Sequence, residues 1–213
     1  MGIAERRERE RLAIRTKILD AARVLFAAEG YEAVTMRRIA DAIEYSPTAI
    51  YLHFRDKERL ILELCREDSM ALAKAFQRIA KEPNPVHRLR AIGVSYVEFG
   101  LEHPNHYRLM FMTRHRLEAD DLAELGHGNP EKDGYAFLIA TLEDAIANGK
   151  LKPEIDDPHL IAQVFWAGVH GIVSLHLAKA GDPWVQWRPV HGTATVLIDT
   201  LLSGLTAEHR SDA

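Results

Sequence analysis

Nineteen consecutive residues, Leu160 to Ala178, carry no Lys, Arg, Asp or Glu. A helix apolar on every side either crosses a membrane or lies buried between two packed surfaces. The segment is isolated and includes Gln163, His170, Ser174 and His176, with Gly168 and Gly171, which favours burial. It therefore needs partners on two sides, and the rest of the chain is patterned to supply helices. Ile14, Ile18, Ala21, Ala22, Leu25 and Phe26 recur at three and four until Gly30 supplies a stop. Met36, Ile39, Ala40 and Ile43 repeat the pattern behind Thr35 as N-cap. Ser46-Pro47 opens another short helix, with Ser as cap and Pro in the first turn. Asp56 caps a longer one that passes Leu60, Leu64 and Leu72 to about Ala80, before Pro83 and Pro85. Further helices are predicted over 85–101, 104–116, 131–148, 157–180 and 188–205, divided by prolines and glycines such as Gly149, Pro158 and Gly181. No alternating strand pattern and no repeat interrupts this, so the fold class is all-α.

The chain of 213 residues is long enough to bury a core without staples. Cys65 is its single cysteine, which leaves no internal disulfide framework and no multi-cysteine zinc site. It fits a reducing, cytoplasmic setting. The first twelve residues are charged and lack an apolar signal-peptide core. Net charge is -4, but it is unevenly distributed. Residues 1–60 carry twelve Lys/Arg against ten Asp/Glu, and residues 61–213 carry fifteen against twenty-one. A small nucleic-acid contact needs only local basic residues, not a basic protein. The head Met1–Arg11 mixes four arginines with three glutamates; it reads as a fraying, solvated helix extension or as an arm that touches phosphate. The tail His209–Ala213 is expected to fray as well.

Residues 35–60 read TMRRIADAIEYSPTAIYLHFRDKERL. Two short helices meet through a turn of about three residues, and the second is too short to stand alone. Ser46, Thr48, Tyr51 and His53 place hydroxyl and imidazole groups at its start and along its outside, with apolar residues behind as anchors. That arrangement suits a helix that enters a major groove, and its N-terminus offers N–H groups to phosphate.

At Ile39-Ala40, Ser46, Ile50-Tyr51, His53-Phe54, Asp56-Lys57-Glu58 and Leu60, supported by Phe26, Gly30-Tyr31 and Thr35, the sequence resembles the DNA-binding head of TetR-family transcriptional regulators over roughly residues 12–60. The resemblance implies an all-helical fold of about nine helices. Residues 1–60 would be a three-helix helix-turn-helix domain, and residues 61–213 a ligand-sensing, dimer-forming body. Carried over, Thr35 caps and touches phosphate, and Arg37 and Arg38 lie near the backbone or a groove edge. Ser46, Pro47, Thr48 and Ala49 face bases, while Tyr51, His53 and Lys57 contact phosphate. The sequence departs from the family at the turn. Glu44 stands where the family commonly has Gly, Tyr45 replaces a small aliphatic residue, and Pro47-Thr48 replaces a common Lys-Gly. A non-Gly residue at positive φ costs roughly 1 kcal/mol or less, so strain or a different turn is expected at Glu44.

Phe165-Trp166-Ala167-Gly168-Val169-His170-Gly171 resembles the Trp-His-Gly body type of the same family. By that resemblance the last two long helices pair with their twofold copies. Gly168, Gly171 and Leu175 then belong to the dimer face, with Ala194, Leu197, Ile198, Leu201 and Leu205 on the last helix. Phe99, His103, Tyr107, Met110, Phe111, Phe137, Trp166 and His170 are the candidate lining of a pocket for a small, mostly apolar effector. For each of them ordinary core packing is the simpler alternative.

His103 and His106 share a helix face without a nearby carboxylate or cysteine, a weak metal signal, so no metal and no cofactor is expected. No Gly-rich phosphate loop, no Gly-x-Ser-x-Gly and no His-Glu-x-x-His is present, and no catalytic role is assigned. The expected partners are double-stranded DNA, a second copy of the chain and a small effector, with no membrane. The expected function is a sequence-specific regulator, a repressor that an effector releases from a near-palindromic site. The alternatives are an activator or architectural DNA binder without effector, or a helical ligand-binding protein or enzyme.

Overall fold

The structure, a computed structural model, describes residues 2–113 and 119–207. Ten helices run in order among the described residues: α1 Ile3–Glu29, α2 Met36–Ala42, α3 Pro47–Tyr51, α4 Lys57–Gln77, α5 Pro85–Glu102, α6 Pro104–Phe111, α7 Ala119–Glu124, α8 Gly134–Ala147, α9 Pro158–Lys179 and α10 Val190–Leu205. The fold is all-α; the one β feature among the described residues is an isolated antiparallel bridge between Leu151 and Thr206. The tenth helix, against the nine expected, is α7, whose six residues ADDLAE have too little apolar pattern to signal it. α1 is helical from Ile3, so the head is a solvated helix extension rather than a frayed end. The predicted 104–116 helix closes at Phe111, and its residues 114–116 lie outside the described residues, as does the tail His209–Ala213.

Helix ends follow local chemistry. Thr35, Ser46, Asn84, Asp133 and Asp157 each accept a backbone N–H of the first turn they cap. Asp133 sets the start of α8 three residues later than the periodicity suggests. Gly30 ends α1 at φ 82, donating its N–H to the Phe26 carbonyl at 3.0 Å.

The chain packs as two units. The first contains the residues up to Asp68 together with Asn105–Leu125. Its core is Ile18, Phe26, Ile39, Ile50, Leu60, Leu64 and Leu109, all fully buried. Cys65 is buried beside them, and burial pushes its thiol up to about 12. Arg23 of α1 reaches Asp68 (3.1 Å) and Glu67 (3.0 Å) of α4, and His106 of α6 meets the same Asp68 carboxylate at 2.7 Å. Charges this deeply buried need partners, and this group supplies them across three helices.

The second unit contains Ser69–Pro104 and the chain from Gly126 onward. α5, α8, α9 and α10 pack against one another there. Gly93 sits where α5 meets both long C-terminal helices: an added Cβ would lie 2.9 Å from the Phe165 ring and 3.0 Å from Ile198. α9 is long and apolar enough to cross a membrane by length and composition. Its Ile161, Ala162, Phe165, Val169 and Val173 are buried in the chain's own packing.

Candidate nucleic-acid interface

α3 has five residues, far below the length at which an isolated helix is stable. Its inner side is held by Ile50 (fully buried) and by Phe54 just beyond its end. Ser46 Oγ accepts the Ala49 N–H at 3.2 Å, and Pro47 fills the first turn. With the inside fixed, the outer edge is left open. Ser46, Thr48 and Tyr51 are exposed, while Pro47, Ala49 and His53 are half-buried. Tyr51 presents 53% of its surface to solvent and Leu52 presents 81%. The edge beginning at Ser46 therefore combines hydroxyls with one protruding apolar side chain, the set that reads base edges and thymine methyls.

The turn before α3 carries the expected strain. Glu44 adopts φ 60, the one non-glycine residue at positive φ among the described residues. The Tyr45 N–H then returns to the Ala40 carbonyl at 3.0 Å, closing α2 without a glycine.

The flanking groups divide by what they already touch. Thr35 caps α2 through Arg38 N–H at 3.1 Å and stays exposed. Arg37 and Arg38 are exposed on α2, with Arg38 paired to Glu29 at 3.0 Å. Lys57 is engaged inside the head. Its ammonium donates to the Tyr31 carbonyl (2.8 Å) and the Val34 carbonyl (3.0 Å) and lies 4.0 Å above the Tyr31 ring. Burial, then the carboxylates of Glu58 and Glu32, push the Tyr31 phenol up to about 12. Burial first, then Arg11 and Arg15, hold the His53 imidazole below its ordinary value.

The residues expected to line a pocket fall into separate settings. Tyr107 is fully buried, with its ring 5.1 Å from Phe111, and both belong with Met110 to the first unit. Phe137 is buried against Phe76, ring centroids 5.9 Å apart. Phe99 and His103 line a cavity of about 740 Å³ along α4 and α5, with Ala75, Ile79 and Val94 on its walls. Lys74 and Arg78 also line it, as do Glu98 and Glu102, so its lining mixes apolar and charged side chains. Trp166 and His170 meet on Tyr96, which sequence reasoning missed. Trp166 Nε1–H donates to the Tyr96 oxygen at 2.9 Å, and that hydroxyl faces His170 Nδ1 at 3.2 Å. Since indole only donates, the Tyr96 oxygen accepts from Trp166, and its own O–H is free to donate to His170 Nδ1 when that nitrogen carries no proton. Burial lowers the His170 pKa in the same sense. Among the described residues no three His, Cys, Asp or Glu side chains converge as a metal site requires.

The expected dimer residues also separate. Gly171 and Leu175 lie on an open face of α9, where a Cβ on Gly171 would meet nothing within 4 Å. Leu160, Val164 and Leu175 expose apolar surface at helical spacing, and Val196 of α10 is 68% exposed. Gly168 instead admits the chain's own Leu201 and Leu197, 3.0 and 3.3 Å from where its Cβ would be. Ala194 and Ile198 point into the chain's own core, and Leu197, Leu201 and Leu205 are half-buried.

Residues 18–64 match the family model of the bacterial regulatory proteins of the tetR family, and residues 89–201 match the tetracyclin repressor-like C-terminal domain. That description is not of the Trp-His-Gly type, which rests on the Phe165–Gly171 segment alone. The HTH-type transcriptional repressor AcnR of Corynebacterium efficiens is 48% identical over 60 residues, 28% of this chain and 32% of that protein. The HTH-type transcriptional repressor KstR2 of Mycolicibacterium smegmatis is 25% identical over 144 residues, 67% of this chain and 69% of that protein. A Rhodococcus sp. RHA1 protein of unknown function superposes with a TM-score of 0.69 at 26% identity, over 91% of this chain and 95% of that one. AcnR and the relatives like it are matched over only 32–35% of their own length. The C-terminal match alone spans more than half of the residues, and with the head match before it the chain belongs to the TetR family of bacterial regulatory proteins.

Proposed function

We propose that this protein is a cytoplasmic, homodimeric, sequence-specific DNA-binding repressor released from a near-palindromic site by a small-molecule effector. The observation that carries the reading is the exposed outer edge of α3, with Ser46, Thr48 and Tyr51 outward over a buried Ile50. In this reading Ser46, Pro47, Thr48 and Ala49 meet bases, and Leu52 adds an apolar contact. Thr35, Arg37, Arg38, Tyr51 and His53 meet phosphate, which sets register and affinity rather than sequence. Lys57 spends two of its three N–H donors on the Tyr31 and Val34 carbonyls, which leaves one for a flanking phosphate.

The apolar stripe of α9, Leu160, Val164, Gly171 and Leu175, with Val196 of α10, is the surface that a second copy would cover. A twofold pair of heads reads two half-sites about one DNA turn apart. The charged side chains in the lining of the cavity along α4 and α5 favour an effector with a polar or ionised end over a wholly apolar one. A coupling of about 1–3 kcal/mol between effector and operator suffices for a 5–150-fold change in affinity.

Selection of bound duplexes from a random library, followed by anisotropy titrations, tests the reading. A shared near-palindromic sequence is expected. Thr48→Ala should change preference at one base step and leave the rest of the site as before. Enrichment of no sequence would refute it.

A further inference from the structure

α1 extends well past what it packs against. Ile18 is fully buried and Ile14 half-buried, whereas residues 2–13 are exposed. At 1.5 Å per residue, the stretch from Ile3 to Ile14 projects about 17 Å beyond the core. Residues three and four apart share a helix face, so the buried face at Ile18 continues backwards through Arg15 and Arg11 to Arg7.

Arg15 marks where that face leaves the core. Its guanidinium lies 4.5 Å above the Phe54 ring and pairs with Glu63 at 2.8 Å. Phe54 follows directly on His53, so this side of α1 runs beside the C-terminal end of α3. The influence of Arg11 and Arg15 on His53 agrees with that placement. Residues 5–17 carry six Lys/Arg and three Glu. Two of the glutamates are occupied within the helix: Glu8 grips the Arg11 guanidinium at 3.0 and 2.9 Å, and Glu10 holds Arg6 at 2.8 Å. Arg7 enters no ion pair or hydrogen bond among the described residues. The face that elsewhere buries isoleucine is thus continued by arginines, one of them held in a fixed pose, next to the edge that meets DNA.

We propose that Arg7 and Arg11, on the first turns of α1, contact the phosphate backbone of double-stranded DNA flanking the stretch read by α3. The inference rests on the DNA-binding reading above. Arginine suits the role because it keeps its charge and its planar fork meets phosphate oxygens in pairs; Arg7 can offer the whole fork, and Arg11 the N–H groups that Glu8 leaves. Such contacts raise affinity for all sequences alike and steepen its dependence on salt.

The test uses the full chain, the duplex obtained by selection, and anisotropy titrations from about 50 to 200 mM salt. The Arg7→Ala/Arg11→Ala variant should bind more weakly, with a salt slope smaller by about 0.9 for each phosphate that is no longer neutralised. Two such phosphates correspond to roughly a tenfold smaller drop in affinity across that fourfold salt range. Arg9→Ala, on the opposite face, should match the unsubstituted chain. Trimming the outer base pairs should weaken the unsubstituted chain and erase its advantage over the double variant. Circular dichroism melts check that the variants keep the fold. An unchanged slope overturns the inference, whether or not affinity falls, and leaves the DNA-binding reading intact. Binding to phosphatidylserine vesicles that the double variant loses, with DNA affinity unchanged, overturns it in favour of a membrane contact. If the unsubstituted chain binds no duplex at all, both readings fall.

Discussion

α3 in the head has five residues and α9 in the body has twenty-two, and they are kept helical by different means. α3 depends on its ends: the Ser46 cap, Pro47 in the first turn, and the anchors Ile50 and Phe54 beneath. Beyond that cap, Thr48 and Tyr51 on its outside are exposed. α9 depends on its inner face, where Phe165 fills space that Gly93 leaves open and Gly168 admits Leu197 and Leu201 of α10. Thr48 and Tyr51 can therefore change with little disturbance to the fold, which is what a sequence-reading element requires. The inside of α9 has no such freedom.

Substitutions graded by this contrast can break it or sharpen it. Phe165→Ala should have the largest effect, a destabilisation of about 3–5 kcal/mol, since it opens a cavity where three helices meet. Urea denaturation measures it, and a loss under 1 kcal/mol would show that the body tolerates what the contrast forbids. Gly93→Ala adds one methyl at 2.9 Å from the Phe165 ring and should cost about 1–3 kcal/mol by overpacking. In the head, Ser46→Ala removes only a cap, worth about 1 kcal/mol. Its loss of operator affinity should exceed that small loss of stability; equal losses would mean that Ser46 serves the helix and not the DNA.

The smallest effect is a pH dependence. His170 has its pKa lowered by burial, and His53 by burial with Arg11 and Arg15 behind it. Each is therefore neutral in the fold at pH values where the unfolded chain has begun to take up a proton. Stability should fall as pH drops below the ordinary histidine value of 6.5 and should be fully restored above it. His170→Asn, which cannot titrate, should flatten that acid limb in melts between about pH 5 and 7. A limb of unchanged steepness would assign it to other groups.

What could be read from the sequence differs between the two regions for the same reason. The head's features are local. Thr35 and Ser46 cap their own next turn, and Glu44 lies in the turn where a glycine is customary, so its positive φ could be foreseen. What the sequence does not show in the head is contact at longer range. The sequence shows Lys57 as a cation in the first turn of a helix, and folding brings the Tyr31 and Val34 carbonyls to it. In the body nearly everything depends on distant pairs. Tyr96 joins Trp166 and His170 from 70 and 74 residues away, and no spacing rule marks it. Periodicity also finds the stripes of α10 without saying which one faces inward: Ala194 and Ile198 do, and Val196 does not. Asn105–Leu125 belongs to the same compact unit as the residues up to Asp68 although the chain reaches it through α5, and no local pattern marks that grouping.

The burial of Cys65 has a practical consequence. A thiol pushed up to about 12 and closed off beside Leu64 and Leu60 has almost no thiolate at neutral pH, so alkylating reagents meet it only when the surrounding helices part. Because it is the chain's single cysteine, its labelling rate gives a clock for that parting, free of signal from the rest of the molecule. Timed with and without operator DNA, the same clock would report how firmly a bound duplex holds the first unit shut.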